Sequence, residues 1–200
     1  MPELPEVEIV KRSLKNKLNY KKIKKVIINN RNLRFKIEKN FEIFLKGKSI
    51  TNISRISKYI ILTLDKNYFC LIHLGMSGTL HFISNRKKDK HTNLSFYHSR
   101  TLSKKHNHIK IKFHNSAIIY NDPRRFGFVK IFDNKKKLNK LLYKLGPEAI
   151  SKEFNFNYLK NKLLYKKKNI KNCLLDQNFV SGIGNIYANE ILFYSKINPS

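Results

Sequence analysis

The sequence predicts an α+β protein: one helix, then a β-sandwich or barrel, then a helical region. Three observations support this fold class. Apolar residues near the start have helical spacing, many short runs rich in Ile, Phe and Tyr follow, and helical spacing returns after residue 134. We therefore expect a β-rich domain at 1–133 and a helical domain at 134–200, joined around 133–147.

The first element is an amphipathic helix predicted at about residues 5–18. Pro5 suits a first helical turn, where a backbone N–H has no intrahelical partner. Basic residues separate the apolar positions, which indicates one buried face. Those apolar positions are Val7, Val10, Leu14 and Leu18.

Nine short strands are predicted next, because the runs are rich in β-branched and aromatic residues and are joined by Asn, Lys, Gly or Asp. Residues 84–107 are polar and basic, and we expect a long exposed loop there. The predicted strands are Ile23–Ile28, Leu33–Phe35, Ile50–Ile56, Tyr59–Leu64, Phe69–Leu74, Thr79–Ile83, Ile109–Phe113, Ala117–Tyr120 and Phe128–Phe132.

Leucine spacing predicts a helix over 138–145, which Gly146 and Pro147 would end. Further helices are predicted at 154–164, at 170–176 and after the turn that contains Gly182 and Gly184.

The charge of the chain points to a polyanionic partner. Its 200 residues include 42 Lys and Arg against 13 Asp and Glu, a formal net charge of +29. Such a field attracts nucleic acid, although an AT-rich genome also enriches Lys, Asn and Ile, and charge alone does not separate DNA, RNA and anionic membrane. The 41% of hydrophobic residues supports a packed core and excludes wholesale disorder.

Other features of the composition narrow the cellular setting. Cys70 and Cys173 stand far apart, which excludes a disulfide framework or Cys-rich zinc site among these residues and favours a reducing compartment. The acidic start lacks a signal peptide, and no apolar run approaches ~18 residues. We therefore expect a cytoplasmic protein.

Pro2 is the first candidate for chemistry. Once Met1 is removed, Pro2 is a free secondary amine, and an α-amino pKa near ~8 leaves part of it unprotonated at neutral pH. Such an amine can attack an electrophilic carbon and form a Schiff-base-type intermediate, with Glu3 as a neighbouring acid or base. The alternative is an ordinary helix start in which Glu3 and Glu6 favour the helix N-terminus.

Lys58 and two turns are further candidates. Lys58 lies at the entry to an apolar strand. It is either a solvated edge residue, an acid or base, or a contact to phosphate. Residues 73–78 hold two glycines, which suit a tight turn or a close approach to a ligand. Residues 122–127 put Arg124, Arg125 and Phe126 on one turn. Either the arginines contact phosphates and base edges while Phe126 inserts into a base stack, or the turn is braced by Asp–Arg pairs and Phe126 belongs to the core.

A Gly-rich turn in the second half offers backbone amides to phosphate. Gly182 and Gly184 precede a helix that begins near Asn185, and a helix N-terminus binds anions. Asn185 is alternatively only a helix cap. Lys166 to Lys168 and Lys171 would add phosphate contacts or form a solvated face.

Taken together and in order, these segments resemble the bacterial formamidopyrimidine-DNA glycosylase family over essentially all 200 residues. The resemblance implies an N-terminal catalytic β-sandwich and an incomplete helical domain of helix-two-turn-helix type. The matching segments are Pro2–Glu8, Ser57–Tyr59, His73–Gly78, Lys105–His108, Asp122–Gly127, Leu145–Glu148 and Gly182–Glu190.

The resemblance implies base-excision repair of damaged double-stranded DNA by a bifunctional glycosylase and AP lyase that removes oxidised purines such as 8-oxoguanine and formamidopyrimidines. The base is flipped out because its target atom is unreachable within the stack. We expect a monomer. The implied roles are nucleophile at the sugar C1′ for Pro2, acid for Glu3, β-elimination for Lys58, void filling for Met76, Arg124 and Phe126, and DNA binding for His106, Arg124, Lys166 and Asn185.

The family also carries a zinc ion in a C-terminal four-Cys finger, with an Arg linked to δ-elimination. None of these residues occurs here, so we expect a C-terminally truncated chain without a cofactor or metal, and δ-elimination is not implied. The loop at 84–105 is longer than the family's usual segment.

Three alternatives stay open. The endonuclease VIII branch acts on oxidised pyrimidines, although the start Pro-Glu-Leu-Pro-Glu-Val-Glu favours the purine branch. A degenerate remnant would bind DNA without turnover. A basic ribosome-associated protein would explain the charge but not the order of the motifs.

Overall fold

A computed structural model of the chain describes residues 2–84 and 103–199, together with the backbone of 92–93. Most of the loop predicted at 84–107 therefore lies outside the described residues. The helices are α1 (Leu4–Leu18), α2 (Phe41–Leu45), α3 (Lys135–Leu142), α4 (Phe156–Leu163), α5 (Ile170–Leu175) and α6 (Asn185–Tyr194). The strands are β1 (Lys25–Ile28), β2 (Ile50–Ile56), β3 (Tyr59–Leu64), β4 (Tyr68–His73), β5 (Thr79–Ser84), β6 (Thr92–Asn93), β7 (Asn107–Lys112), β8 (Ser116–Asn121) and β9 (Phe128–Phe132).

The strands form two antiparallel sheets. One sheet has the order β1-β7-β8-β5-β6, and the other has the order β2-β3-β4-β9. Buried side chains from both sheets and from α1 belong to one apolar cluster, so the sheets and the helix share a core. The α+β fold class with a β-sandwich, a flanking helix and a following helical region is confirmed.

Helix α1 confirms the predicted amphipathic helix. Its apolar stripe is buried, because residues three and four apart lie on one helical face. Pro5 lies in the first turn, as expected. The stripe consists of Leu4, Val7, Val10, Leu14 and Leu18, each at most 4% exposed.

One predicted strand was wrong, and one short helix was not predicted. Leu33–Phe35 is not a strand; only an isolated bridge between Asn32 and Lys36 forms there, although Leu33 is buried in the core. Helix α2 was missed because its five residues are too few to show a period, yet Phe41 and Leu45 are fully buried. In both places burial decides the conformation, and a short apolar run does not distinguish between strand and helix.

The second half is helical. Helix α3 lies three residues earlier than predicted and ends at Leu142, before Gly146 and Pro147, while α4 and α5 are shorter than predicted. The core of the second half is a separate buried cluster, formed by Cys173, Leu174, Phe179, Val180, Ile183, Ala188 and Leu192.

The chain forms two compact units, Met1–Leu138 and Asn139–Ser200, and the division falls within α3. The functional boundary expected at 133/134 stays a prediction. No helix among the described residues is both long and apolar enough to cross a bilayer.

An ion-pair network fixes α1 to β2, the edge strand of the second sheet, which has the order β2-β3-β4-β9. Glu8 accepts hydrogen bonds from Lys11 (2.7 Å) and Arg12 (2.8 Å) on the same helix and from Arg55 Nε (2.9 Å) on β2. Burial alone would raise the pKa of Glu8, but the hydrogen bonds from these three cations outweigh it and lower that pKa to about 2.

This network predicts how stability depends on pH. Since the pKa of Glu8 is about 2 in the folded chain against an ordinary 4.5, its stabilisation is complete above pH 4.5 and is lost as pH falls through about 2. Urea unfolding of Glu8→Gln should therefore show a deficit in the free energy of unfolding that is largest above pH 5 and shrinks towards pH 2. Glu190→Gln, at an exposed position of α6, should show little deficit at either pH. A deficit for Glu8→Gln that is independent of pH would contradict the ionised network.

Candidate functional site

The start of α1 is buried, which is unusual for a chain terminus. Pro2 and Glu3 are both buried, and Glu3 is only 1% exposed. Glu3 is the N-cap residue, and its backbone N–H donates to Glu6 Oε2 at 2.8 Å. The first helical turn therefore holds Pro2 and Glu3 in a defined position.

Lys58 lies in the tight turn between β2 and β3. Ser57 occupies the left-handed region with φ of +53°, and its carbonyl accepts a hydrogen bond from Arg55 Nη1 at 2.8 Å. Lys58 itself is 8% exposed, so the interpretation of a solvated edge residue is wrong.

Charge couples Lys58 to the start of α1. Burial lowers the pKa of Lys58, because desolvation disfavours the ammonium, and the Glu3 carboxylate opposes this shift. Removing the carboxylate would leave the buried ammonium without this compensation. The structure thus brings three predicted residues, Pro2, Glu3 and Lys58, into one buried region.

The register of the second sheet places Lys58 at the same end as the turn that follows β4. Tyr59 on β3 pairs with His73 on β4, and His73 pairs with Phe128 on β9. The residue before Tyr59 is Lys58, and the residues after His73 are the turn that contains Gly75. These sequence motifs therefore meet although they are distant in the chain.

His73 also lies at this site, although the sequence analysis assigned it no role. Its ring lies 5.3 Å from Tyr59 and is stacked on Phe128 at 5.1 Å, and its Nδ1 accepts the Gly75 N–H at 3.2 Å. Burial above all, and then the Lys58 charge, lower the pKa of His73 to about 4, so the ring is neutral at pH 7. The available signal was its position directly before Leu-Gly-Met-Ser-Gly.

The turns at residues 74–78 and 122–127, which lie at this end of the sheet, pack closely against each other at their glycines. A Cβ on Gly75 would lie 2.4 Å from the Gly127 nitrogen, and a Cβ on Gly127 would lie 1.8 Å from the Tyr120 hydroxyl. Only glycine permits this approach of the 74–78 and 122–127 turns. The glycines therefore serve backbone packing.

The buried carboxylate of Asp122 joins the same two turns. It accepts hydrogen bonds from the Gly127 N–H (2.8 Å), the Tyr120 hydroxyl (3.2 Å) and the Ser77 hydroxyl. The Ser77 hydroxyl accepts in turn from the Arg124 N–H at 3.1 Å. Asp122 is 0% exposed, so it braces the turns from inside.

The braced turns present three of the predicted residues at one cleft of about 730 Å³. Met76 is 42% exposed and Phe126 is 44% exposed, so the interpretation of Phe126 as a core residue is wrong. The Arg124 guanidinium stacks over the Phe126 ring at 4.7 Å. His73 and Gly75 also line this cleft.

His106 lies in the same unit, in a short 3-10 turn before β7. Its carbonyl accepts the Asp122 N–H at 3.1 Å, which ties this turn to the base of the 122–127 turn. The neighbouring His108 is buried, and its Nε2 lies 2.7 Å from the Asp122 carbonyl.

Lys166 and Asn185 lie in the second unit. Asn185 is the first residue of α6 and is exposed, and the N-cap is Gly184, so the interpretation of Asn185 as the cap is wrong. Gln177 holds the preceding turn: its Oε1 accepts the Gly182 N–H at 3.0 Å, and its Nε2 donates to the Ile183 carbonyl at 2.8 Å.

The described part of the chain contains no cluster of three or more His, Cys, Asp or Glu side chains that could hold a metal ion. Cys70 and Cys173 are both buried free thiols.

Sequence comparison identifies two known domains in the chain. Residues 1–129 match the formamidopyrimidine-DNA glycosylase N-terminal domain, and residues 145–200 match the formamidopyrimidine-DNA glycosylase H2TH domain. A formamidopyrimidine-DNA glycosylase of Wolbachia pipientis is 42% identical over 200 residues, and one of Legionella pneumophila is 41% identical over 201. Both alignments cover the whole of this chain and 68% of the relative.

Solved structures give the same result. The chain superposes on Lactococcus lactis Fpg in complex with DNA that contains an abasic site, with a TM-score of 0.83 and 31% identity over 98% of this chain and 69% of that one. It also matches Lactococcus lactis Fpg in complex with DNA that contains an oxidised pyrimidine, with a TM-score of 0.84 and 31% identity over 99% of this chain and 70% of that one.

The Asp122 bridge generates a stability prediction. Asp122→Ala removes the acceptor of three donors at a buried position, and each buried group left without a partner costs about 1 to 3 kcal/mol. We expect urea unfolding to show a loss of about 3 kcal/mol or more, with an unchanged dependence on urea concentration. The control Asp133→Ala removes an exposed ion pair with Lys137 and an exposed hydrogen bond from the Asn134 amide, and it should cost less than about 1 kcal/mol. Equal losses in the two variants would contradict the bridging role.

Proposed function

The chain belongs to the formamidopyrimidine-DNA glycosylase family, and we propose that it removes oxidised purines from duplex DNA and then cleaves the strand. The observation that carries this proposal is the buried grouping of Pro2, Glu3 and Lys58 at the end of the sandwich where Met76, Arg124 and Phe126 line a cleft. The grouping offers an amine, a carboxyl group and an ammonium, and the cleft offers side chains that suit an opened base stack.

The proposed nucleophile is the secondary amine of Pro2 after Met1 has been removed. Its lone pair attacks C1′ of the damaged nucleotide, and the glycosidic bond breaks, with the bonding electrons leaving on the base. Opening of the sugar ring at O4′ then gives an iminium between C1′ and the Pro2 nitrogen.

Glu3 and Lys58 supply the proton transfers in this proposal. Attack leaves a proton on the Pro2 nitrogen, and the Glu3 carboxylate accepts that proton as the iminium forms. Glu3 then donates the proton to O4′ as the ring opens. The iminium acidifies the 2′ carbon, and removal of a 2′ proton expels the 3′ phosphate by β-elimination. Lys58 assists this step, and its lowered pKa supports the role because a neutral amine can accept a proton.

Met76, Arg124 and Phe126 would occupy the space left by the flipped-out nucleotide. The Met76 thioether and the Phe126 ring are each more than two fifths exposed. Insertion into a base stack would bury both, and the guanidinium beside Phe126 would pair with phosphate or a base edge.

DNA binding is proposed to rest on His106, Arg124, Lys166 and Asn185. The turn before α6 carries the exposed Asn185 at a helix N-terminus, where backbone amides favour phosphate. Lys166 would act as a point charge toward the backbone. A substrate panel with oxidised pyrimidines tests the endonuclease VIII-like alternative, since Lactococcus lactis Fpg has been seen with such DNA.

The nucleophile is tested by borohydride trapping on abasic-site DNA. Pro2→Gly, or an N-terminal extension that blocks the amine, should reduce the covalent complex by at least ~100-fold, in the range of losses seen when single catalytic groups are removed. Pro5→Gly is the matched control, because Pro5 is exposed within the first helical turn, and its trapping should stay within about threefold. If the chain with a blocked N-terminus is trapped as efficiently as the unblocked chain, the nucleophilic amine belongs to a lysine.

A second experiment separates the two steps. Glu3→Gln should slow base excision by roughly 10²-fold or more with a smaller effect on nicking of preformed abasic sites, because Gln cannot donate a carboxyl proton. Lys58→Ala should slow strand cleavage, while Lys39→Ala, at an exposed position, should change neither step. Single-turnover rates at saturating protein provide the measurement. If both site variants lose only affinity, the proton-transfer roles are wrong.

A further inference from the structure

A second cleft, of about 520 Å³, lies in the same unit, and the proposed function does not use it. Its walls carry several cationic side chains, and no acidic side chain is among the described residues that line it. We call it the lysine cleft, and its defining residues are Lys17, Lys21, Lys22, Lys24, Phe82 and His114.

The lysine cleft lies at the opposite end of the β-sandwich from the candidate active site. Helix α1 starts at the active-site end and reaches the cleft near Lys17, about 20 Å along its axis at 1.5 Å per residue. Strand β5 likewise runs from Thr79, which pairs with Asn121 beside Asp122, to Ser84, which pairs with Ser116 at the cleft. The two sites therefore open at different ends of the unit.

The cleft holds two ammonium groups in defined positions. Lys17 Nζ lies 4.8 Å and Lys21 Nζ lies 5.1 Å from the centre of the Phe82 ring. Lys21 Nζ also donates to Ser116 Oγ at 3.1 Å. Two ammonium groups therefore lie close to one buried ring in the wall of the cleft.

The floor of the cleft favours phosphate over a nucleobase. Phe82 is 6% exposed and Phe113 is 5% exposed, so neither ring offers a face on which a base could stack. The groups available to a ligand are ammonium and imidazole, with Lys22, Lys24 and His114 all exposed at the rim. These groups bind phosphate oxygens without reading sequence.

We propose that the lysine cleft binds the phosphate backbone of a second DNA segment while the candidate active site holds the first. This inference rests on the proposed function for the first segment only. Because the sites open at different ends of the sandwich, one straight duplex does not occupy both, and the chain can bridge two duplexes. Bridging would let the chain pass from one segment to another without full release.

Capture on beads tests this proposal with the full chain. An intact duplex is immobilised, the chain is added, and retention of a second, fluorescent duplex is measured at increasing salt. The variant Lys17→Gln, Lys21→Gln and Lys22→Gln keeps a polar side chain at each position, shorter by one atom, and removes three charges. It should retain at least ~10-fold less of the second duplex, and the slope of log affinity against log salt for that duplex should fall by about 2 to 3.

The control carries the same charge change at three exposed lysines outside the cleft, Lys135→Gln, Lys136→Gln and Lys140→Gln. It should retain the second duplex within about twofold of the unsubstituted chain. Borohydride trapping on abasic-site DNA, run on all three proteins, shows that the cleft variant is folded and tests the proposed function separately. Loss of trapping in every protein with bridging intact would count against the nucleophile and leave the cleft proposal standing.

Three results would overturn the proposal. The first is failure of the unsubstituted chain to bridge two duplexes. The second is an equal loss of bridging in the cleft variant and the control, which would mean that net charge alone matters. The third is that anionic phosphatidylserine vesicles, but not duplex DNA, are retained through the three cleft lysines.

Discussion

The packing of α1 against the β2–β3 hairpin is the constraint on which the candidate site depends. The apolar stripe of the helix enters the sandwich core, and the pair between Glu8 and Arg55 fixes the helix along the strand. Arg55 also holds the carbonyl of Ser57, so the same guanidinium shapes the turn that carries Lys58. One side chain therefore sets both the position of the chain terminus and the position of the lysine beside it.

A second buried carboxylate organises the cleft beside this grouping. Asp122 sits at 0% exposure and supplies acceptors to a backbone N–H, a phenol and a hydroxyl. Burial and the Asp122 charge raise the pKa of Tyr120 well above its ordinary value, which keeps the phenol protonated as a donor. The exposed side chains of the 122–127 turn are thus held by hydrogen bonds to one buried carboxylate, as a preorganised binding surface requires.

Much of this architecture could be predicted from the sequence, because long periodic elements and motifs are local signals. The stripe of α1 and strands such as Ile50–Ile56, Tyr59–Leu64 and Phe128–Phe132 are found with their predicted bounds or within a residue of them. Helix α2 and the segment at Leu33 could not be predicted, because burial against distant residues decides their conformation. Glycine packing between Gly75 and Gly127, and the role of His73 beneath the cleft, depend on register between strands, which composition does not reveal.

We propose that the terminal amine of Pro2, rather than a lysine amine, forms the covalent bond to DNA. The most direct measurement is tandem mass spectrometry of the borohydride-trapped complex after digestion of protein and DNA. We expect the sugar remnant on the N-terminal nitrogen of the peptide that begins at Pro2. A remnant on Lys58, or spread over the exposed lysines, would contradict it.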